Sequence, residues 1–309
     1  MKGTDSKDFL DMVSPSSFLM FFIAGLIVGS FLNVCIYRIP RQLSLLSPGS
    51  FCPNCSIPVR WYNNIPVISY LVLGGRCRSC GDKISIRYPV IELLTGYVFV
   101  HFYSVFIQAR QESFSVLFIY LALCCALIIA TFIDLESYII PNEITFTGMP
   151  LALVLSLVYP GLHIEPHTLR DFLLTGFERF DAFIASLAGL AVGGGLTFLC
   201  SILGKWAFKK DAMGFGDVKL MGMIGGIVGW KLSVAIFFLA PFFGLLMAIP
   251  VLLVKKRHLI PYGPFLSLAT LVCILCQDYF IRLMNMYIQV FSVLLSINFL
   301  FFLHVFQNT

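Results

Sequence analysis

The chain has 309 residues, 59% of them hydrophobic and only 12% charged, with a mean hydropathy of +0.90. Soluble domains carry about one quarter charged residues, so this composition excludes an ordinary soluble protein and points to helices that cross a bilayer. The formal net charge of +5 reads as a topology signal rather than a nucleic-acid surface, because the basic residues gather in short loops between apolar runs.

A membrane-crossing helix needs about 20 apolar residues. Charge-free runs of this kind lie at 12–37, 93–109, 113–133, 144–164, 182–204, 232–254, 259–277 and 283–309. They predict an all-α polytopic membrane protein with eight spans. The stretch 218–230 is short and contains Lys219, and it makes a ninth span if it starts near Asp217. The first run has no basic region immediately before it and no small-residue cleavage site after it, so it reads as a retained helix rather than a signal peptide.

Between the first two spans lies a polar segment, 38–88. It carries Arg38, Arg41, Arg60, Arg76, Arg78, Lys83 and Arg87 against the single acid Asp82. Further basic loops hold Lys205, Lys209 and Lys210, and Lys255, Lys256 and Arg257. Short loops rich in Lys and Arg stay in the cytoplasm, which puts this insert and both later loops inside and the N-terminus outside.

The insert contains "CPNC" (Cys52, Cys55) and "CRSC" (Cys77, Cys80), 21 residues apart. Two CxxC knuckles at about this distance form a zinc pattern, with a gap one residue beyond the usual range. Each turn aims two sulfurs at one ion, and four thiolates leave no open position for chemistry, so the expected site is structural. Pro53 and Gly81 suit the tight turns. The alternatives are two disulfides, which a cytoplasmic location opposes, or four idle thiols. Cys273 and Cys276 also form a CxxC, but within an apolar run; they and Cys35, Cys124, Cys125 and Cys200 read as small hydrophobic residues.

Two aspartates stand at run boundaries. Asp134 directly follows the third run, in "TFIDLESYIIPNEI", and Asp217 opens the short ninth, in "GFGDVKLMGMIGG". The topology brings both to the cytoplasmic face. Carboxylates at membrane boundaries are costly and commonly functional. Two sharing a site cannot readily both ionise, so one serves as base on a water while the other donates a proton to a carbonyl. Gly214 and Gly216 permit close backbone approach beside Asp217. Gly222, Gly225, Gly226 and Gly229 give GxxxG spacings for tight helix contact. Alternatively, each aspartate is an ordinary helix-end charge facing water. Glu92, Glu136 and Glu143 fall near the same face; Glu92 also reads as a helix-start acid favoured by the dipole. Arg38 and Arg87 read as topology anchors. Lys219 either approaches Asp217 or snorkels to the interface.

These motifs together resemble the type IV prepilin peptidases. "GSFLNVCIYRIPR" is similar to the family's first-helix exit, "WYNNIPVISYLVLGGRCRSCGDKISIRYPVIE" to its cysteine domain, "DLESYIIPN" and "GFGDVKL" to its two aspartate motifs, and "IPYGPFL" to a late segment. The resemblance implies a GxGD aspartic protease with Asp134 and Asp217 as its catalytic pair and Cys52, Cys55, Cys77 and Cys80 as its zinc ligands. Asn142 stands where the family often has Asp. The implied substrates are type IV prepilins and pseudopilins, cut after a basic leader and then N-methylated with S-adenosylmethionine, which makes Glu92, Glu136 and Glu143 candidates to meet the leader or the amine formed by cleavage. The implied location is the bacterial inner membrane, with no nucleic-acid partner. No glycine-rich fingerprint places the methyl-donor site; the cysteine insert is the candidate. The expected organisation is 1–37 as first helix, 38–88 as zinc insert, 89–282 as protease core and 283–309 as an apolar tail. A proton-coupled transporter would use similar acids, but carriers show internal repeats and none is visible here. A catalytically dead scaffold is the other alternative, and nothing in the sequence favours it.

Overall fold

The computed structural model describes residues 15–163, 178–209, 213–255 and 261–290. Its helices are α1 Pro15–Arg38, α2 Ile68–Val72, α3 Arg87–Tyr103, α4 Phe114–Ser137, α5 Asn142–Val158, α6 Glu178–Phe208, α7 Phe215–Val228, α8 Trp230–Lys255, α9 Gly263–Leu275 and α10 Gln277–Val290. A π-helical turn, Ser104–Ala109, extends α3. Among the described residues the only β pairings are two isolated bridges within the insert.

Helices in lipid gain little from hydrophobic association, so close packing of small residues joins them. A Cβ placed on Gly25 of α1 would lie 2.7 Å from the Cα of Gly96 on α3, and one on Gly29 would lie 2.7 Å from the Cα of Glu92. The α6–α7 contact is tighter: a Cβ on Gly189 or Gly225 would fall 2.1 or 2.2 Å from the other's carbonyl oxygen. Gly222 faces Leu190 and Gly194 of the same neighbour, so the expected GxxxG contact forms.

Four stretches are long and apolar enough to cross a membrane: Pro15–Arg41, Arg87–Ala109, Phe114–Ser137 and Glu178–Ala207. The pair α9 and α10, bent by 88°, makes a fifth if it is one broken span. The other runs among the eight or nine expected spans are shorter here or lie partly outside the described residues. Asn142–Val158 in α5 and Trp230–Leu246 in α8 are shorter apolar helices. Helix α7 has 14 residues and is an interior helix, with Leu220, Met221, Met223 and Ile224 fully buried. Most of the expected tail, 291–309, lies outside the described residues, as do Lys210, Lys256 and Arg257 of the basic loops.

Two helix ends matter for the site. Helix α4 stops just after Asp134: Tyr138 adopts the left-handed region (φ 56°) and its N–H donates to the Asp134 carbonyl, after which Pro141 opens α5. Helix α7 starts at Gly214, whose carbonyl accepts the Asp217 N–H at 3.1 Å.

Candidate active site and metal centre

Asp134 and Asp217 are both buried, at 5% and 8% exposure, and are close enough for the charge of one to act on the other. Each is held by one backbone N–H at a helix start. Gly214 N–H donates to Asp217 Oδ2 at 3.2 Å, within the first turn of α7. Gly263 N–H donates to Asp134 Oδ2 at 3.0 Å, from the start of α9. Helix N-termini carry unpaired N–H groups and partial positive charge, so both carboxylates sit where a negative charge is favoured. In each case one carboxylate oxygen is anchored. Tyr262 is also within electrostatic reach of Asp217. The Tyr262-Gly263 step therefore addresses both acids. Its "IPYGPFL" stretch was visible in the sequence, though its role was not. A Cβ on Gly263 would lie 2.7 Å from Asp134 Oδ2, which is why glycine stands there. Gly216 packs against Ile140, where an added Cβ would lie 3.1 Å away, and so joins α7 to the loop after α4.

Among the described residues Lys219 forms no ion pair with Asp217. Its ammonium hydrogen-bonds to Asn142 Oδ1 and lies 5.0 Å from the Phe146 ring centroid and 5.3 Å from that of Phe215. It ties the start of α5 to the start of α7, beside the aspartates.

The two CxxC turns are copies of each other. The N–H of Cys52 donates to Ile57 O and that of Cys77 to Asp82 O; Ser56 and Gly81 return N–H bonds to Cys52 O and Cys77 O. Ser56 (φ 57°) and Gly81 (φ 73°) occupy the same left-handed position, so one turn uses glycine where the other uses serine. Asn54 Nδ2 donates to Asp82 Oδ2 at 2.6 Å, linking the knuckles. All four sulfurs lie within 4.8 Å of one another, and Cys52 and Cys80 are 3.9 Å apart. Four tetrahedral bonds of about 2.3 Å would place sulfurs about 3.8 Å apart, so the set fits a zinc ion. The N–H groups of Cys80 and Ser79 bring the Cys77 thiol down to about 7. The Asp82 N–H acts in the same sense on Cys80, but desolvation and its three neighbouring thiols push it up to about 12. Such mutual opposition is what a bound dication relieves.

Arg38 does more than mark topology. It is buried, and its guanidinium donates to the carbonyls of Ser44, Pro48 and Gly49 at 2.7, 2.6 and 2.9 Å. It thereby folds the root of the insert onto the end of α1. Between the insert and helices α1 and α3 lies a cleft of about 850 Å³.

The three glutamates separate. Glu92 is buried and borders this cleft. Glu136 forms an ion pair with Arg87. Glu143 is exposed in the first turn of α5.

Residues 23–106 match the model of the bacterial peptidase A24 N-terminal domain, and residues 121–249 that of the type IV leader peptidase family. The chain is 32% identical to a prepilin leader peptidase/N-methyltransferase of Neisseria gonorrhoeae, over 89% of this chain and 96% of that one. It is 33% identical to the protein of that name from Aeromonas hydrophila, over 84% and 91%. For the one from Myxococcus xanthus (strain DK1622) the values are 34% identity, 79% of this chain and 65% of the relative, just under two thirds of its length. No solved structure is significantly similar.

Proposed function

This chain belongs to the type IV leader peptidase family, and on that premise we propose that it removes the basic leader from type IV prepilins and pseudopilins and then methylates the new N-terminus with S-adenosylmethionine. The observation that carries the reading is the pair of buried aspartates, Asp134 and Asp217, each fixed through one oxygen by a helix-start N–H. Their other oxygens are left for chemistry. One carboxylate takes a proton from a water as it attacks the scissile carbonyl; the other, protonated, gives its proton to the carbonyl oxygen. The proton then passes to the leaving amine. Enclosure by α4, α7 and α9 strengthens both transfers by limiting bulk water.

Cys52, Cys55, Cys77 and Cys80 hold one structural zinc ion that stabilises an insert too small to have much core. The insert and both aspartates face the cytoplasm of a bacterial inner membrane, with the N-terminus outside, as the Lys and Arg distribution supports. There a basic leader can stay in water while the pilin helix remains in the bilayer. Residues 1–37, 38–88, 89–282 and 283–309 form the first helix, the zinc insert, the protease core and the apolar tail. No feature or relative supports the transporter alternative.

Purified enzyme incubated with a prepilin, with and without S-adenosylmethionine, tests the reading by product mass. It predicts loss of the leader in both cases and one added methyl group only with the donor. An intact precursor under both conditions would overturn it.

A further inference from the structure

The cleft beneath the insert holds two buried acceptors that no cation among the described residues satisfies. Glu92, on α3, is 7% exposed. Its Oε2 accepts the Val67 N–H at 2.7 Å, and the Ser30 hydroxyl also hydrogen-bonds to it. Val67 sits at φ 61°, ψ −50°, inside a three-residue turn closed by Ile68 N–H to Pro66 O at 2.6 Å. This conformation is costly for a β-branched residue, and it aims the N–H at the carboxylate. Asn33, on α1, is 1% exposed. Its Nδ2 faces two carbonyls, Gly29 O and Tyr88 O, which fixes the amide orientation. Its Oδ1 has no hydrogen-bond partner. Both residues border the same cleft.

Five cationic side chains line the cleft, and none pairs with Glu92. Arg38 binds the insert carbonyls, Arg60 donates to the Tyr62 hydroxyl, Arg78 lies over the Tyr62 ring, Arg87 pairs with Glu136, and Lys83 forms no ion pair among the described residues. Among the described residues Glu92 forms no ion pair. A buried carboxylate without a cation and an orphaned amide oxygen on the same cleft call for a positively charged group with several N–H donors. An ammonium has three.

The helix that carries Glu92 packs against the one that carries Asp134. Ile91, beside Glu92, shares a hydrophobic cluster with Ile133, beside Asp134, and the Arg87–Glu136 ion pair bridges the same two helices. The aspartates do not line the cleft, so a chain end freed there moves across this helix pair to reach it.

We propose that this cleft is the methyl-transfer chamber, and that Glu92 and Asn33 receive the newly freed N-terminal ammonium of the pilin, with Glu92 as its proton acceptor. The inference rests on the methyltransferase part of the function proposed above. In the step, an ammonium N–H bond breaks and its proton goes to Glu92. The nitrogen lone pair forms the new N–CH3 bond as the S–CH3 bond of S-adenosylmethionine breaks, and sulfur keeps that electron pair. The sulfonium becomes a neutral thioether, the amine becomes a methylammonium, and Glu92 returns its proton to water. The volume of about 850 Å³ lies near the top of the range for small-molecule sites, which suits a methyl donor together with a peptide end.

Glu92→Gln in the full-length enzyme tests this, because the amide still accepts the Val67 N–H but takes no proton. Cleavage of prepilin, zinc content and equilibrium binding of radiolabelled S-adenosylmethionine are expected to stay at wild-type levels. Methylation of precut, unmethylated pilin is expected to fall by about 100-fold or more. Methylation at the wild-type rate would overturn the assignment. So would a matching loss of S-adenosylmethionine binding, which would place the donor's own ammonium on Glu92. Should the variant fail to accumulate, wild-type enzyme cross-linked to precut pilin carrying a diazirine at residue 1 decides the point. Label on 30–37 or 88–92 supports the chamber, and label confined to 134–141 and 214–217 contradicts it. If wild-type enzyme itself leaves precut pilin unmethylated, it is the methyltransferase reading that fails, not the choice of residue.

Discussion

Between α1 and α3 the insert has a single α-helix, of five residues, and its polar groups are arranged by turns: two matched knuckles, a γ-turn at Val67 and the Arg38 guanidinium gathering three carbonyls. The aspartate region is the reverse. Asp134 and Asp217 sit on helices whose cores are fully buried, and the groups that hold them are the N–H donors of helix starts. Packed helices hold a carboxylate with the N–H groups that their first turns leave unpaired, and their remaining backbone bonds are made within each element. Turns in so small a segment gain from a cross-link, and its four clustered sulfurs fit a metal. The two regions should therefore respond differently to damage.

The sharpest separation comes from the acids. Asp134→Asn and Asp217→Asn should each reduce prepilin cleavage by roughly 10³-fold or more, with the double variant scarcely worse than either single one because the pair acts as a unit. Zinc content and methylation of precut pilin should persist. Product mass and metal analysis check this together. Comparable loss of both activities in a folded variant would erase the distinction between the regions.

Next in size is metal removal. Cys77→Ser, or chelation of the wild type, should empty the site and unfold the insert, since structural zinc contributes of order 10 kcal/mol to folding small metal domains. Methylation should disappear, whereas the helix-borne aspartates should retain measurable cleavage. Full zinc occupancy after replacement of all four cysteines would remove the metal assignment.

Gly263→Ala probes the frame itself. The added Cβ, 2.7 Å from Asp134 Oδ2, must displace that carboxylate. Misplacement of about 1 Å can cost on the order of 100-fold, so cleavage should drop by about that factor while methylation of precut pilin is kept. Unchanged cleavage would mean that the Gly263 N–H does not position Asp134.

Glu136→Gln should have the smallest effect. Its ion pair with Arg87 is partly exposed, and such pairs contribute about 0–1 kcal/mol. Thermal stability should shift slightly and both activities should remain within a few-fold; loss of either would give Glu136 a direct role.

Some of this was legible in the sequence because it is local. A CxxC turn is a four-residue object, so Cys52, Cys55, Cys77 and Cys80 announce their geometry. Asp134 and Asp217 stand out because charges are rare beside apolar runs, and the Gly222–Gly229 spacing gives the α6–α7 contact. What stayed hidden depends on distant backbone. The N–H of Gly263 meets an aspartate from another helix, and a backbone donor leaves no trace in residue type. The orphaned Asn33 Oδ1 is defined by what its neighbours fail to offer. The match of Ser56 with Gly81 hides behind different side chains. An apolar run also records burial without saying whether lipid or protein surrounds it, as the buried α7 illustrates.

The central claim is that the aspartates cut and the cleft methylates, in separate places. The most direct test gives Asp217→Asn enzyme precut pilin and S-adenosylmethionine, with full-length prepilin in parallel, and reads both products by mass. The account predicts a methylated mature pilin in the first reaction and an intact precursor in the second. Cleaved precursor, or precut pilin left unmethylated by a folded, zinc-bound variant, would contradict it.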